Sequence, residues 1–210
     1  MSENKEFLTT VREESYTEFE EKKSVFIGRA IRVDSEEEAQ EYVKKIKKEH
    51  RDATHNVWAY LMQGEIMARY SDDGEPQGTA GMPVLDAIRK SGIRNVCVVV
   101  TRYFGGTLLG AGGLVRAYSH SASLALEAAG RITYEPYVEY ELSCGYSEYQ
   151  KYSVILANAG VLTDGTDFGA EVVIRFAVKR TDSDALVGKI TEASYGRDVP
   201  REVGERLDYQ

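Results

Sequence analysis

The sequence predicts an α+β protein in two domains, residues 1–131 and 132–210, the second with the βαββαβ order of a ferredoxin-like unit. Three observations point there. Apolar residues recur with period two in some stretches and at helical spacing in others, and the two kinds of stretch are interleaved. A chain of 210 residues is too long for one minimal domain and comfortable for two. After Arg131 the pattern starts again, laying out a strand, a helix, two strands, a helix and a last strand.

In the first domain, the polar segment up to about Glu14 reads as poorly ordered. Residues 16–33 read as two strands turning around Glu20-Glu21-Lys22-Lys23; Val25, Ile27, Ile31 and Val33 share one parity. Ser35 and Glu38 form a capping box, and Ala39, Tyr42, Val43 and Ile46 behind it fall at helical spacing. Lysines crowd the last turns of that helix, where they complement its dipole. Val57 to Met62 and Ile66 to Tyr70 read as a hairpin through Gln63-Gly64. Residues 71–79 are dense in turn formers. Pro83 near the start and Gly92 at the end bound a short helix, Met82 to Ser91, with Val84, Leu85 and Ile88 facing inward. Val96 to Val100 is apolar without alternation, as a strand covered on both faces requires. A glycine-rich loop from Arg102 to Gly113 then leads into a helix from Leu114 to Ala129, ended by Gly130.

In the second domain, Tyr134–Ser143 reads as a strand and Glu148–Ala159 as a helix closed by Gly160. Strands follow at 161–166 and 170–178, then a helix over Asp182–Ala193 begun by Thr181-Asp182, and a short strand near Glu202–Leu207.

The net charge is −8. Residues 1–131 hold 18 basic and 20 acidic side chains, a net of −2, and residues 132–210 hold 8 and 14, a net of −6. Indiscriminate nucleic-acid binding needs clustered Lys and Arg, so phosphate contact is expected on the first domain alone. The second domain reads as solvating or protein-facing. No apolar run reaches the length of a membrane span, and the polar start lacks a signal-peptide core, so a cytoplasmic protein without membrane contact is expected. Cys97 and Cys144 are far apart, and Cys97 lies in an apolar run as a buried thiol would. Neither a disulfide framework nor a zinc site is suggested.

Two segments carry candidate chemistry. In the first, Arg102, Tyr103, Gly105, Gly106, Gly110, Gly112, Gly113 and Arg116 surround a loop-to-helix junction. Glycines free the backbone for close approach, and unpaired amides at a helix start favour anions such as phosphate or an RNA backbone. Tyr103 is the one tyrosine kept as a base-stacking candidate. The loop fails as a nucleotide motif: Ala111-Gly112 stands where a P-loop needs Lys-Ser/Thr, and Val115 replaces the third glycine of a dinucleotide fingerprint. Tight helix–strand packing explains the glycines equally well. The second segment joins His55 to Asp72, Asp73, Glu75 and Thr79. A histidine among carboxylates suits a general base or a metal. The same residues are also a recipe for turns whose side chains cap nearby amides, and that structural reading leads. No catalytic residue, metal or cofactor is assigned. His50 reads as a dipole partner at a helix end, His120 as a surface or packing residue, and Trp58 as core.

Ser71-Asp72-Asp73-Gly74-Glu75-Pro76 with Gly78-Thr79-Ala80-Gly81-Met82-Pro83 resembles the first signature of the YigZ/IMPACT family. Arg102 to Gly106, Leu109-Gly110, Gly112 to Leu114 and Ala117-Tyr118 resemble its second, and His55 before Asn56-Val57-Trp58-Ala59-Tyr60 a third family feature. The resemblance runs from about Lys22 to Arg131, and residues 132–210 are similar to the C-terminal module of the bacterial members. It implies a ribosomal-protein-S5-domain-2-like fold for the first domain. The pair of domains resembles the last two of elongation factor G, which implies RNA or the ribosome as partner. The eukaryotic members act through an additional N-terminal domain, so their mechanism is not carried over. The expectation is a translation-associated binding protein, regulatory rather than catalytic. Its rivals are a small hydrolase or phosphate- or metal-dependent enzyme using the His55 loop, and an interaction module acting on a translation-factor protein.

Overall fold

The computed structural model describes residues 7–64 and 67–209. It separates into two units, one over Leu8–Thr133 and the other from Tyr134 onward together with Phe7. In chain order the first unit holds β1 (Leu8–Val11), β2 (Thr17–Glu21), β3 (Ser24–Arg32), α1 (Glu36–Glu49), β4 (His55–Leu61), β5 (Ala68–Ser71), α2 (Gly81–Ser91), β6 (Val96–Tyr103) and α3 (Ala111–Ala128). Strand β7 (Arg131–Cys144) leads into α4 (Tyr146–Asn158), β8 (Leu162–Phe168), β9 (Val172–Lys179), α5 (Arg180–Ala193) and β10 (Arg201–Asp208).

The first sheet is antiparallel throughout, in the order β2-β3-β6-β4-β5. Its centre is β6, and the two parities of that strand feed different cores. Val96, Val98 and Val100 join α2 and α3 in one cluster, whereas Cys97 and Val99 join Val43 and Ile46 of α1 in the other. An apolar run without alternation is what burial on both faces demands, and alternation in β3 reflects its more peripheral place. Gly28 of β3 lets α3 approach, because a Cβ there would lie 2.7 Å from the Ser121 carbonyl oxygen.

Several expectations shift by a few residues. The segment before Glu14 is ordered from Leu8 to Val11 as β1, which joins the leading end of β7, the Thr9 and Thr133 hydroxyls lying 3.0 Å apart. Four residues show no period, and their partner lies over a hundred positions away, so no local signal exists. Ser35 caps α1 by accepting from the Glu38 amide at 3.2 Å, but Glu38 reaches back to the amide of Asp34 rather than of Ser35. Helix α2 begins at Gly81, so Pro83 stands third in it; Gly92 ends it at φ 73°. Helix α5 begins at Arg180, two residues before the expected Asp182, so Thr181 lies inside it rather than ahead of it. The expected strand start at Ile66 lies outside the described residues.

The second unit carries the order β10-β7-β9-β8, all neighbours antiparallel, with Leu156 of α4 and Leu186 and Ile190 of α5 packed on one face. That is the ferredoxin-like arrangement. The three glutamates of β7, all odd-numbered, face away from those helices and are matched by cations: Glu135 with Lys179, Glu139 with Arg206, Glu141 with Arg175 and Arg201. Among the described residues no helix is long and apolar enough to cross a membrane.

Candidate functional site

Strand parity decides where the chemistry sits. On β6, Arg102 shares the parity of Val96, Val98 and Val100 and points to the α3 face, whereas Tyr103 points to the α1 face. Both belong to the strand, which runs three residues beyond the expected end, and they do not converge. Tyr103 is half-buried, its hydroxyl 3.0 Å from His50 Nδ1 and donating to Asp52 at 3.3 Å.

Arg102 is not a free surface cation. It is 5% exposed, and its guanidinium donates to Glu75 Oε1 at 2.6 Å and to Ser24 Oγ at 3.2 Å. The rings of Phe26 and Phe104 flank it, each centroid 5.5 Å from Cζ. Glu75, 8% exposed, also accepts from the Tyr118 hydroxyl at 2.7 Å. Burial, then the carboxylate beside it, pushes that phenol far above its ordinary range, so it stays a donor. The other Glu75 oxygen lies 3.7 Å from His55 Nε2. A carbonyl only accepts, so the 2.8 Å contact between His55 Nδ1 and the Asp73 oxygen fixes the proton on Nδ1 and leaves Nε2 toward the carboxylate.

The remaining acidic residues build the loop. Asp72 accepts from the amides of Gly78, Ala80 and Gly81 and so caps the start of α2, whose own N-cap Ala80 has no side chain to do it. Asp73, at φ 45°, takes the Asn56 amide at 2.7 Å and the Lys47 ammonium at 2.5 Å. Thr79 donates to the Pro76 carbonyl at 2.6 Å. Among the described residues no group of three or more His, Cys, Asp or Glu side chains is placed to hold a metal ion.

The glycine segment turns tightly and then becomes helix. Gly105 packs on the backbone of the β2–β3 turn, where a Cβ would lie 1.9 Å from the Lys23 carbonyl carbon; only glycine fits. Gly106 and Gly110 adopt φ 83° and 74°. Helix α3 starts at Ala111, three residues before the expected Leu114, with Gly110 as N-cap and no side-chain cap. Gly112 and Gly113 are therefore in its first turn, and the first helical bond is Leu114 N–H to the Gly110 carbonyl at 2.9 Å. The amides of Ala111, Gly112 and Gly113 have no partner within the helix by position, and residues 110–112 are exposed.

The two segments meet. A cleft of about 420 Å³ is lined by His55, Glu75, Pro76 and Arg102 on one side and by Phe104, Leu108 and Gly110 on the other. Leu108 stands 81% exposed at its mouth. Arg116 lies on the other flank of α3, in a smaller groove of about 250 Å³ with Lys22, Glu21, His120 and Phe19. Phe104 and Tyr118 stand inside the second signature without a role assigned from it, and Ser24 carries no signal; Tyr118 is also four residues from Leu114 and so on the buried side of α3.

Comparison with known proteins matches the Impact N-terminal domain over residues 22–126 and a domain of unknown function (DUF1949) over residues 142–197. The chain is similar to IMPACT family member YvyE of Bacillus subtilis, 38% identical over 90% of this chain and 87% of that one. It is also similar to IMPACT family member YigZ of Escherichia coli, 34% identical over 83% and 87%. A crystal structure of a hypothetical protein matches with a TM-score of 0.60 and 31% identity, covering 95% of this chain and 98% of that chain.

Proposed function

The chain belongs to the IMPACT family, and from that premise we propose that it is a translation-linked binding protein that holds RNA phosphates at the start of α3, regulatory rather than catalytic. One observation carries the reading: three unspent amides open α3 beside two cations, Arg116 and Lys22, that have no ion-pair partner among the described residues. A strained turn supports it. Lys22 and Lys23 sit at φ 49° and 67°, the positions that a two-residue hairpin turn ordinarily gives to Asn-Gly. Lysines held in that geometry at a cost of about 1 kcal/mol or more each point to a use for their charge. Arg102, matched to Glu75, supports the cleft rather than the ligand.

Gly112→Asp tests this directly. A Cβ at Gly112 meets only Arg116 Nη1 at 3.6 Å, and a carboxylate in the first turn favours the helix while repelling phosphate. Co-sedimentation with ribosomes, and binding to single-stranded RNA at several salt concentrations, are expected to weaken about tenfold at low salt. Arg116→Ala is expected to flatten the salt slope by about one unit. Folded variants that bind RNA as the unaltered chain does would remove this surface from consideration.

One geometry favours a second reading, acid–base chemistry at His55. Its ring lines the cleft and is oriented by the Asp73 carbonyl, and Nε2 lies 3.7 Å from the Glu75 carboxylate. Asp72 and Asp73 are committed to the loop, so His55 and Glu75 alone would carry it. Hydrolysis of phosphate esters that vanishes in His55→Asn, with RNA binding intact, would establish that reading over the first.

A further inference from the structure

Helix α1 packs over β6 and β4, and on that face the edge strand β5 is left open beside it; α2 covers β5 from the other side. The open strip carries a particular set of side chains. Trp58 is partly buried, and its ring lies parallel to that of Tyr60, 5.6 Å between centroids with 5° between planes. In register with these two on β5 are Ser71 and Arg69. Lys44 and Lys47 line the same groove from α1, which has a volume of about 300 Å³. Lys47 is engaged with Asp73, and the Tyr60 hydroxyl donates to Glu36 at 2.5 Å. Lys44 has no ion-pair partner among the described residues, Arg69 bonds only the neighbouring Ala68 carbonyl, and the Trp58 indole N–H has no hydrogen-bond partner among them.

A planar apolar ring wall, an unspent N–H donor and two unmatched cations on an otherwise acidic protein are complementary to one kind of occupant. It is flat, aromatic and negatively charged. We propose that this groove receives an unpaired base of a single-stranded RNA, stacked beside Trp58, with the adjoining phosphate drawn to Lys44 and Arg69. The site extends the RNA reading to the opposite face of the sheet from α3, and it does not depend on the glycine segment.

Trp58 is the only tryptophan of the chain, so fluorescence excited at the red edge, where the fourteen tyrosines do not absorb, reports this groove and no other. Titration of the full chain with an eight-nucleotide oligoadenylate is expected to quench that fluorescence saturably. Lys44→Glu, an exposed change that leaves the fold alone, is expected to weaken the quench about tenfold at low salt, and high salt to weaken it further. In Gly112→Asp the saturating quench persists even where overall affinity falls, which separates this groove from the α3 start. Absence of quenching by the oligonucleotide would overturn the proposal. So would equal quenching in Lys44→Glu, or adenosine monophosphate binding as tightly as the strand, which would make the occupant a free nucleotide.

Discussion

Arg102 and Glu75 show how a charged residue changes meaning once its surroundings are known. In sequence Arg102 stands before a glycine loop and invites a phosphate; in the structure it is sealed between Phe26 and Phe104 and neutralised by Glu75. The partner lies 27 residues away, and no spacing rule links a strand to a loop at that distance. Adjacent Tyr103 was separable in principle, since neighbouring strand residues face opposite sides, but the strand's true end was hidden by the change from valine to polar residues. A buried ion pair broken on one side leaves an uncompensated charge. Glu75→Ala is therefore expected to lower unfolding free energy by roughly 3–5 kcal/mol in urea denaturation, since Tyr118 and Arg102 both lose their acceptor. A loss under about 1 kcal/mol would mean that water reaches the pair and screens it.

Elements were legible where a physical signal repeats. The run Val96–Val100 announced a strand covered twice, and Gly92 announced the end of α2. The start of α3 was misplaced because glycine has poor helix propensity, and two of them in the first turn conceal a helix that tertiary packing of Leu114, Ala117 and Tyr118 imposes. The roles of Asp72 and Asp73 were half legible. Their type promised caps, and the loop lies close enough to α2 for Thr79 or a carboxylate to serve its start; nothing local singled out Asp72 for that task. The β2–β3 turn offers a test at this scale. Lys22→Asn with Lys23→Gly relieves two left-handed lysines, so thermal or urea unfolding is expected to show a gain of about 1 kcal/mol, while RNA affinity falls. Gain without loss of affinity would leave the turn's charge without a use.

Across the molecule, the restart after Arg131 and the order of the last six elements gave the ferredoxin-like unit, because each of its elements is long enough to show its own period. β1 was missed for the opposite reason. Alkali probes both units at once. Burial, then hydrogen bonds to Glu36 and Asp198, push Tyr60 and Tyr152 up to about 12. In the unfolded chain a tyrosine titrates near ~10, so below that pH their contribution is fully present. Between the two values the unfolded chain gives up protons that the folded one keeps, and stability falls as pH rises. Circular dichroism is expected to fall in that window together with the part of the tyrosinate absorbance that Tyr60→Phe and Tyr152→Phe remove, the exposed tyrosines supplying the rest; that part rising with the fold intact would show these two hydroxyls to be accessible. The contact of Gly105 with the Lys23 backbone has a wider consequence. It welds the mouth of the cleft to the hairpin beside it, so any ligand of the cleft would meet a surface already in its final shape. Little freedom is surrendered on docking, and modest contacts then suffice for a usable grip.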